Sequence, residues 1–275
     1  MRPTDEKGAN SALSRDPKIL WHLHEGDGPT IGLAVHAGHE IRADLLPYLA
    51  IDEATRIREE DPYTDFWTLA CDSQIITRRS RFEVDLNRPS DHAICVQPAD
   101  CWNLEVWSEE LPQSLTERSL AEHAAFYQML GRVLTGLEQR HGRFVVYDIH
   151  SYNHRRHGPR EEAADPAANP EINIGTGTMN RELWAPVVDR FIAELRGFDF
   201  LGRHLDVREN VKFKGGYLAQ FVHESFPASG CALAIEVKKS FMDEWTGVGF
   251  PEQINAVRDA FEATVPYVAK ELACL

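Results

Sequence analysis

The sequence predicts an α/β fold of three layers, a mixed, mostly parallel sheet with helices on both faces, and three observations point to it. Short apolar runs at 30–36, 143–149 and 231–237 have the length and composition of strands buried on both sides. Longer stretches with helical spacing separate them. Each run also ends in, or carries near its carboxyl end, a polar residue that a buried strand does not need, and the carboxyl ends of parallel strands are where α/β proteins collect ligands.

Residues 1–18 are polar and read as a flexible tail, leaving 19–275 as one domain with no internal repeat or low-complexity linker. The run 30–36 (TIGLAVH) is the first strand, ending in a polar loop. Residues 42–57 suit a helix, and 65–88 carry two strand-like pieces broken by the charged ITRRSR stretch. From 115 to 141 Leu120, Ala124, Tyr127, Leu130, Val133, Leu134 and Leu137 fall largely on one stripe, and Gly142 ends that helix. The second strand, 143–149, delivers His150. Three prolines and a glycine make 155–170 an exposed loop. Residues 181–195 suit a helix, 231–237 (CALAIEV) form the third strand with Glu236 inside it, and 251–272 form a C-terminal helix.

Composition narrows the function classes. Apolar residues make up 43% of the chain, enough for a sizeable core. Lys and Arg number 29 against 43 Asp and Glu, a net charge of −14, which argues against nucleic acid as a partner. A few arginines can still hold a small anion within an acidic protein. The five cysteines, Cys71, Cys95, Cys101, Cys231 and Cys274, are odd in number and show no CxxC spacing. They read as reduced thiols of a cytoplasmic protein, neither a disulfide frame nor a cysteine zinc site. The polar N-terminus has no secretory pattern, and no run of about 18 apolar residues suggests a membrane partner. Nothing in the sequence sets an oligomeric state.

The chemistry lies in the polar residues at the strand ends: His36 with Glu40, then His150, then Glu236. Two histidines and a carboxylate are the usual protein ligands of a catalytic zinc, and a further carboxylate can take a proton from its water. Each residue alone has an ordinary reading, a hydrogen-bonded histidine or a turn. Glu236 is harder to dismiss, because an acid within ALAIEV must be exposed, functional or paired, for example with Lys238 or an arginine. Residues 77–89 bring Arg78, Arg79, Arg81, Asn87 and Arg88 together, donors suited to a carboxylate. The ordinary reading there is a solvated basic loop pairing with Glu83, Asp85 or Asp91. Asp148 shares a strand face with His150, either to orient it as a ligand or as a buried acid paired with an arginine.

These residues resemble a family. Asp85-Leu86-Asn87-Arg88, His150-Ser151-Tyr152 and Ile235-Glu236-Val237 are similar, in order, to elements of the zinc carboxypeptidases. A closer resemblance is to the N-formylglutamate amidohydrolases. It rests on His36-Ala37-Gly38-His39-Glu40, Ser80-Arg81 through Arg88, Asp148 through Ser151, Lys214-Gly215-Gly216-Tyr217 and Ala234-Ile235-Glu236, with His123 on the preceding helix, over roughly 30–245. The resemblance implies a zinc carboxypeptidase-like fold in which His36, Glu40 and His150 hold Zn²⁺, with Fe²⁺, Mn²⁺ or Co²⁺ as other occupants of such ligands. It implies Glu236 as general base and Asn87 with Arg88 gripping the substrate carboxylate. Arg81 would serve a second carboxylate or the oxyanion, and Tyr217 would close over the site from its Gly-Gly hinge. Two departures leave ligands open. The spacing His-x-x-x-Glu lets His39 compete with Glu40, and His154 stands four residues after His150. The implied substrate is a small anionic N-acyl amino acid, foremost N-formyl-L-glutamate, giving formate and L-glutamate. Rival readings are another carboxypeptidase or deacylase activity on the same scaffold, and a non-catalytic anion-binding protein.

Overall fold

A computed structural model describes residues 20–275, so the tail expected at 1–18 lies outside the described residues. Among the described residues seven strands form one sheet: β1 (Trp21–His24), β2 (Thr30–Ala34), β3 (Ser73–Thr77), β4 (Phe144–Tyr152), β5 (Ile172–Gly175), β6 (Val207–Glu209) and β7 (Gly230–Lys238). Their order is β1-β3-β2-β4-β7-β5-β6. The β1–β3 and β5–β7 pairs are antiparallel and the others parallel, as a mixed, mostly parallel sheet requires. The three apolar runs of the sequence became β2, β4 and β7, neighbours at the centre of the sheet. Every residue of β2 and β4 is buried, which is why these runs are apolar throughout rather than alternating.

Helices cover both faces: α1 (Glu53–Glu59), α2 (Thr64–Trp67), α3 (Gln113–His141), α4 (Ala185–Gly197), α5 (Tyr217–Ser225) and α6 (Pro251–Cys274). The two-residue period of a strand still sorts its buried side chains. Phe144 and Val146 of β4 pack with Phe126 and Leu130 of α3 and with Leu218 and Val222 of α5. Val145, Tyr147 and Ile149 point the other way, into Phe191 of α4 and Val257 and Phe261 of α6. Asp148 and His150 continue the first of these two sets, so they emerge on the α3–α5 side of the sheet.

Several local expectations are corrected. The helix expected over 42–57 forms only at its end. Pro47 lies in a short 3-10 turn, and α1 starts where the Asp52 carboxylate accepts the Thr55 N–H (2.8 Å). Only one strand, β3, forms within 65–88. Beyond it the chain turns repeatedly, with Glu83 N–H donating to Ser80 O (3.0 Å) and Arg88 N–H to Asp85 O (3.3 Å). The strands β1, β5 and β6 are too short to show a period, and α5 begins straight after Gly215-Gly216. The reduced-thiol reading fails for one pair. Cys95 and Cys101 form a disulfide, because a turn at Pro98 brings their Cα atoms to 5.9 Å, inside the span a disulfide bridges. Cys71 and Cys231 are buried free thiols, and Cys274 is exposed. Among the described residues no helix is long and apolar enough to cross a membrane.

Candidate active site

At the carboxyl ends of the central strands, β4 and β7 run in parallel register, with His150 opposite Glu236. His36 lies two residues beyond β2. The chain leaving α1 crosses beneath it, where Asp61 N–H donates to His36 O (2.9 Å). Lys239, just past β7 and fully buried, donates from Nζ to Arg58 O (2.6 Å) and Glu60 O (2.7 Å). A lysine that satisfies two carbonyls at the end of α1 fixes the backbone that delivers Asp61.

Three side-chain atoms then meet. His36 Nδ1 and His150 Nδ1 are 3.1 Å apart, and Asp61 Oδ2 is 3.3 Å from each. All three residues are buried, and the group has the composition and closeness of a metal site. The opposite ring nitrogens meet other acids, His36 Nε2 with Asp85 Oδ1 (2.7 Å) and His150 Nε2 with Asp148 Oδ1 (2.8 Å). A carboxylate only accepts, so each Nε2 carries the proton and each Nδ1 presents a lone pair. Two lone pairs and a carboxylate oxygen facing one another repel unless a positive charge sits among them. Burial disfavours charge on His150, yet Asp148 outweighs it and holds the imidazole well above its usual pKa, so the site favours a cation. A proton serves two of the three acceptors, whereas a divalent ion serves all three. Ligands at about 2.0–2.1 Å from a tetrahedral zinc stand about 3.3–3.4 Å apart, close to the 3.1 and 3.3 Å separations present here. The donor set therefore fits a metal ion. Ser151 Oγ donates to the other Asp61 oxygen (3.1 Å), so the residue after His150 aims the carboxylate at the histidines.

This group opens onto a cavity of about 100 Å³ lined also by Glu236, Arg81, Asn87, Trp102 and Arg156. Burial pushes Glu236 up to about 8, with His150 pulling in the other direction, and among the described residues no hydrogen bond holds its carboxyl group. It is open to take a proton. Arg81 donates through Nη2 and Nε to Asp85 Oδ2 (2.8 and 3.2 Å) and through Nη1 to Glu59 O (3.3 Å), its face covered by the Trp102 ring at 4.6 Å. Burial opposes ionisation of Asp85, but Arg81 and His36 overcome it and hold the carboxyl well below the usual range. Asn87 is gripped through its backbone and side chain: Tyr217 N–H donates to its carbonyl (3.1 Å) and Leu218 N–H to its Oδ1 (3.0 Å). Its amide edge lies 3.3 Å from the His150 ring.

The structure thus brings His36, His150, Glu236, Arg81 and Asn87 together. It does not bring Glu40 to them. Glu40 is ion-paired with Arg78 at the surface, and Asp61 stands where the third ligand, a carboxylate, was expected. His39 is held by Glu60 and Arg56, and His154 by Glu244 (2.6 Å), so neither reaches the two histidines. Arg88 stands behind the cavity wall, 3.4 Å from Asp85. Tyr217 is not among the residues that line the cavity. Its ring packs on Tyr127 (5.0 Å) and its helix start clamps Asn87. Gly216 leaves no room for a Cβ, which would stand 2.3 Å from Asn87 Oδ1, so close approach accounts for that glycine better than a hinge. Sequence reasoning also missed Trp102 and Lys239, and it noted Arg156 only as part of the basic segment after His150. Arg156 forms two hydrogen-bonded contacts to the buried Glu59 (3.1 and 3.0 Å).

The family of N-formylglutamate amidohydrolases matches residues 28–242. Two solved structures share the fold. One is an N-formylglutamate amidohydrolase from Ralstonia eutropha, with a TM-score of 0.71 and 17% identity, covering 91% of this chain and 97% of that one. The other is a gene product of Agrobacterium tumefaciens, with a TM-score of 0.65 and 17% identity, covering 91% and 95%. No curated protein matches the chain.

Proposed function

The chain belongs to the N-formylglutamate amidohydrolase family, and on that premise we propose that it hydrolyses the amide bond of a small anionic N-acyl amino acid, foremost N-formyl-L-glutamate, in a metal-dependent reaction. The observation that carries this reading is the trio of mutually facing acceptors on His36, Asp61 and His150, with the Glu236 carboxyl, unbonded among the described residues, in the same cavity. These three residues would hold Zn²⁺ or another divalent transition ion. Such an ion, when bound, polarises the scissile carbonyl and makes water acidic enough to react near neutral pH.

The protein's own groups do the rest. Asp85 and Asp148 keep the two Nε2 protons and so keep both Nδ1 atoms available. Glu236 accepts the proton of the attacking water and returns it to the leaving amine. Its high pKa suits both halves of that cycle, and a nearby cation favours its charged form. Arg81 and Asn87 bind the substrate's carboxylate, with Arg88 adding positive charge from behind Asp85. Tyr217 contributes through its backbone by holding Asn87.

Formate release from N-formyl-L-glutamate tests this directly. The metal-loaded protein releases formate, a chelator stops it, and added Zn²⁺ restores it. A metal-loaded protein that releases none from this substrate contradicts the proposal, and a panel of other N-acyl amino acids and dipeptides then identifies a rival hydrolase on the same scaffold.

A further inference from the structure

Residues 89–112 connect Arg88 to α3 without a strand or an α-helix. Irregular connections beyond about 12–15 residues in a compact fold usually carry function. This one is organised by a small apolar cluster of its own, Phe82, Cys95, Cys101 and Val106, separate from the two clusters that flank the sheet. The Cys95–Cys101 disulfide closes the loop within that cluster. The next residue is Trp102, with φ 56°, in the left-handed region that a bulky side chain rarely occupies. Such a backbone persists only where its surroundings over-determine it. Here Cys101 O accepts the Leu104 N–H (2.9 Å) and Pro98 O the Asn103 N–H (2.8 Å). The turn throws the indole back into the cavity, edge-on to Phe82 at 6.0 Å and over two arginines, Arg81 at 4.6 Å and Arg88 at 5.7 Å.

Arg81 is thus fixed in two ways. Asp85 takes the Nε–Nη2 edge of its guanidinium and Glu59 O one Nη1 proton, which leaves one N–H on each terminal nitrogen for a substrate, and Trp102 covers a face. Cover by an indole excludes water from that face and holds the plane of the fork. We propose that Trp102 is a substrate-positioning residue whose place is set by the Cys95–Cys101 disulfide, so that opening the disulfide weakens the grip of Arg81 on the substrate's carboxylate. The proposal rests on the reading of Arg81 as that carboxylate's ligand. Opening needs a reductant. With a water-soluble phosphine the disulfide accepts two electrons and each sulfur gains a proton, while phosphorus is oxidised and takes the oxygen of water as the phosphine oxide.

The test uses the metal-loaded full chain with N-formyl-L-glutamate. Trp102→Ala raises KM about five- to thirtyfold, the size of a desolvated cation–π contact, while kcat stays within about twofold. Trp102→Phe, which keeps an aromatic face, recovers most of the loss. The Cys95→Ser/Cys101→Ser pair, and wild-type protein opened by phosphine and then desalted, shift KM in the same direction. A wild-type KM in Trp102→Ala, a loss confined to kcat, or a wild-type KM in the double serine variant overturns the proposal. A second readout does not depend on turnover. Opening the disulfide makes tryptophan emission more accessible to acrylamide, and that gain disappears in Trp102→Phe. Equal quenching before and after opening also overturns the inference. If oxidised wild-type protein releases no formate, the proposed substrate fails, and the quenching experiment alone judges the loop.

Discussion

His150 on β4 and His223 on α5 are both buried histidines on the same side of the sheet, and their surroundings differ in kind. His223 accepts the Ala232 N–H at Nε2 (3.0 Å) and donates from Nδ1 to Thr178 Oγ1 (2.9 Å). One proton and two partners close the account, the ring stays neutral, and burial pushes its pKa down to about 4. His150 gives one nitrogen to Asp148 and turns the other toward His36 and Asp61, where only acceptors wait. The difference teaches how a buried histidine is sorted: a balanced set of donors and acceptors marks a structural role, and a surplus of acceptors marks a place for a cation.

The largest effect that sharpens this contrast comes from Glu236, opposite His150 in register. Glu236→Gln lowers kcat by about 10²–10⁴ in steady-state assays while elemental analysis finds the metal retained. Normal turnover in that variant removes Glu236 from the reaction. Next is Asp148, which has no counterpart at His223. Asp148→Asn weakens metal affinity or activity by about 10–100-fold, read by metal titration and assay, because the His150 proton is no longer held at Nε2. Unchanged affinity and rate would make Asp148 an ordinary buried acid. The smallest effect lies on the other side of the comparison. His223→Phe leaves kcat and KM alone and changes how stability depends on pH. Above an unfolded pKa near 6.5 the wild-type histidine is neutral in both states. Between there and about 4 the unfolded chain binds a proton that the folded one refuses, so stability falls as pH drops. Denaturant melts at pH 7 and 5 show about 2 kcal/mol less loss in the variant. An identical pH dependence in both proteins contradicts the neutral assignment.

The strand-borne part of the site was legible because apolar runs stop at it. His36, His150 and Glu236 interrupt segments that have no structural use for a polar group, and parallel register carries them to the carboxyl ends of the central strands. The loop-borne part was not. Glu59-Glu60-Asp61 looks like the solvated end of a helix, yet all three acids are buried. Their partners, Asn153 and Arg156 for Glu59, Ser80 and His39 for Glu60, and the two histidines for Asp61, are mostly distant in sequence. The family resemblance pointed to Glu40 instead, and Arg78 claims that side chain at the surface. Gly215-Gly216 looked like a hinge because a sequence does not show that Asn87 fills the space a Cβ would need. The Cys95–Cys101 pair was hidden for a similar reason, since the reversal at Pro98 is a local backbone event without a spacing signature.

The central claim, that one divalent ion is held by His36, Asp61 and His150, is tested most directly by metal stoichiometry. Wild type, Asp61→Ala and Glu40→Ala are equilibrated with Zn²⁺, freed of loosely bound ion and analysed for zinc. The account predicts about one zinc per chain in wild type and Glu40→Ala, and far less than one in Asp61→Ala. A full complement in Asp61→Ala together with its loss in Glu40→Ala would contradict it.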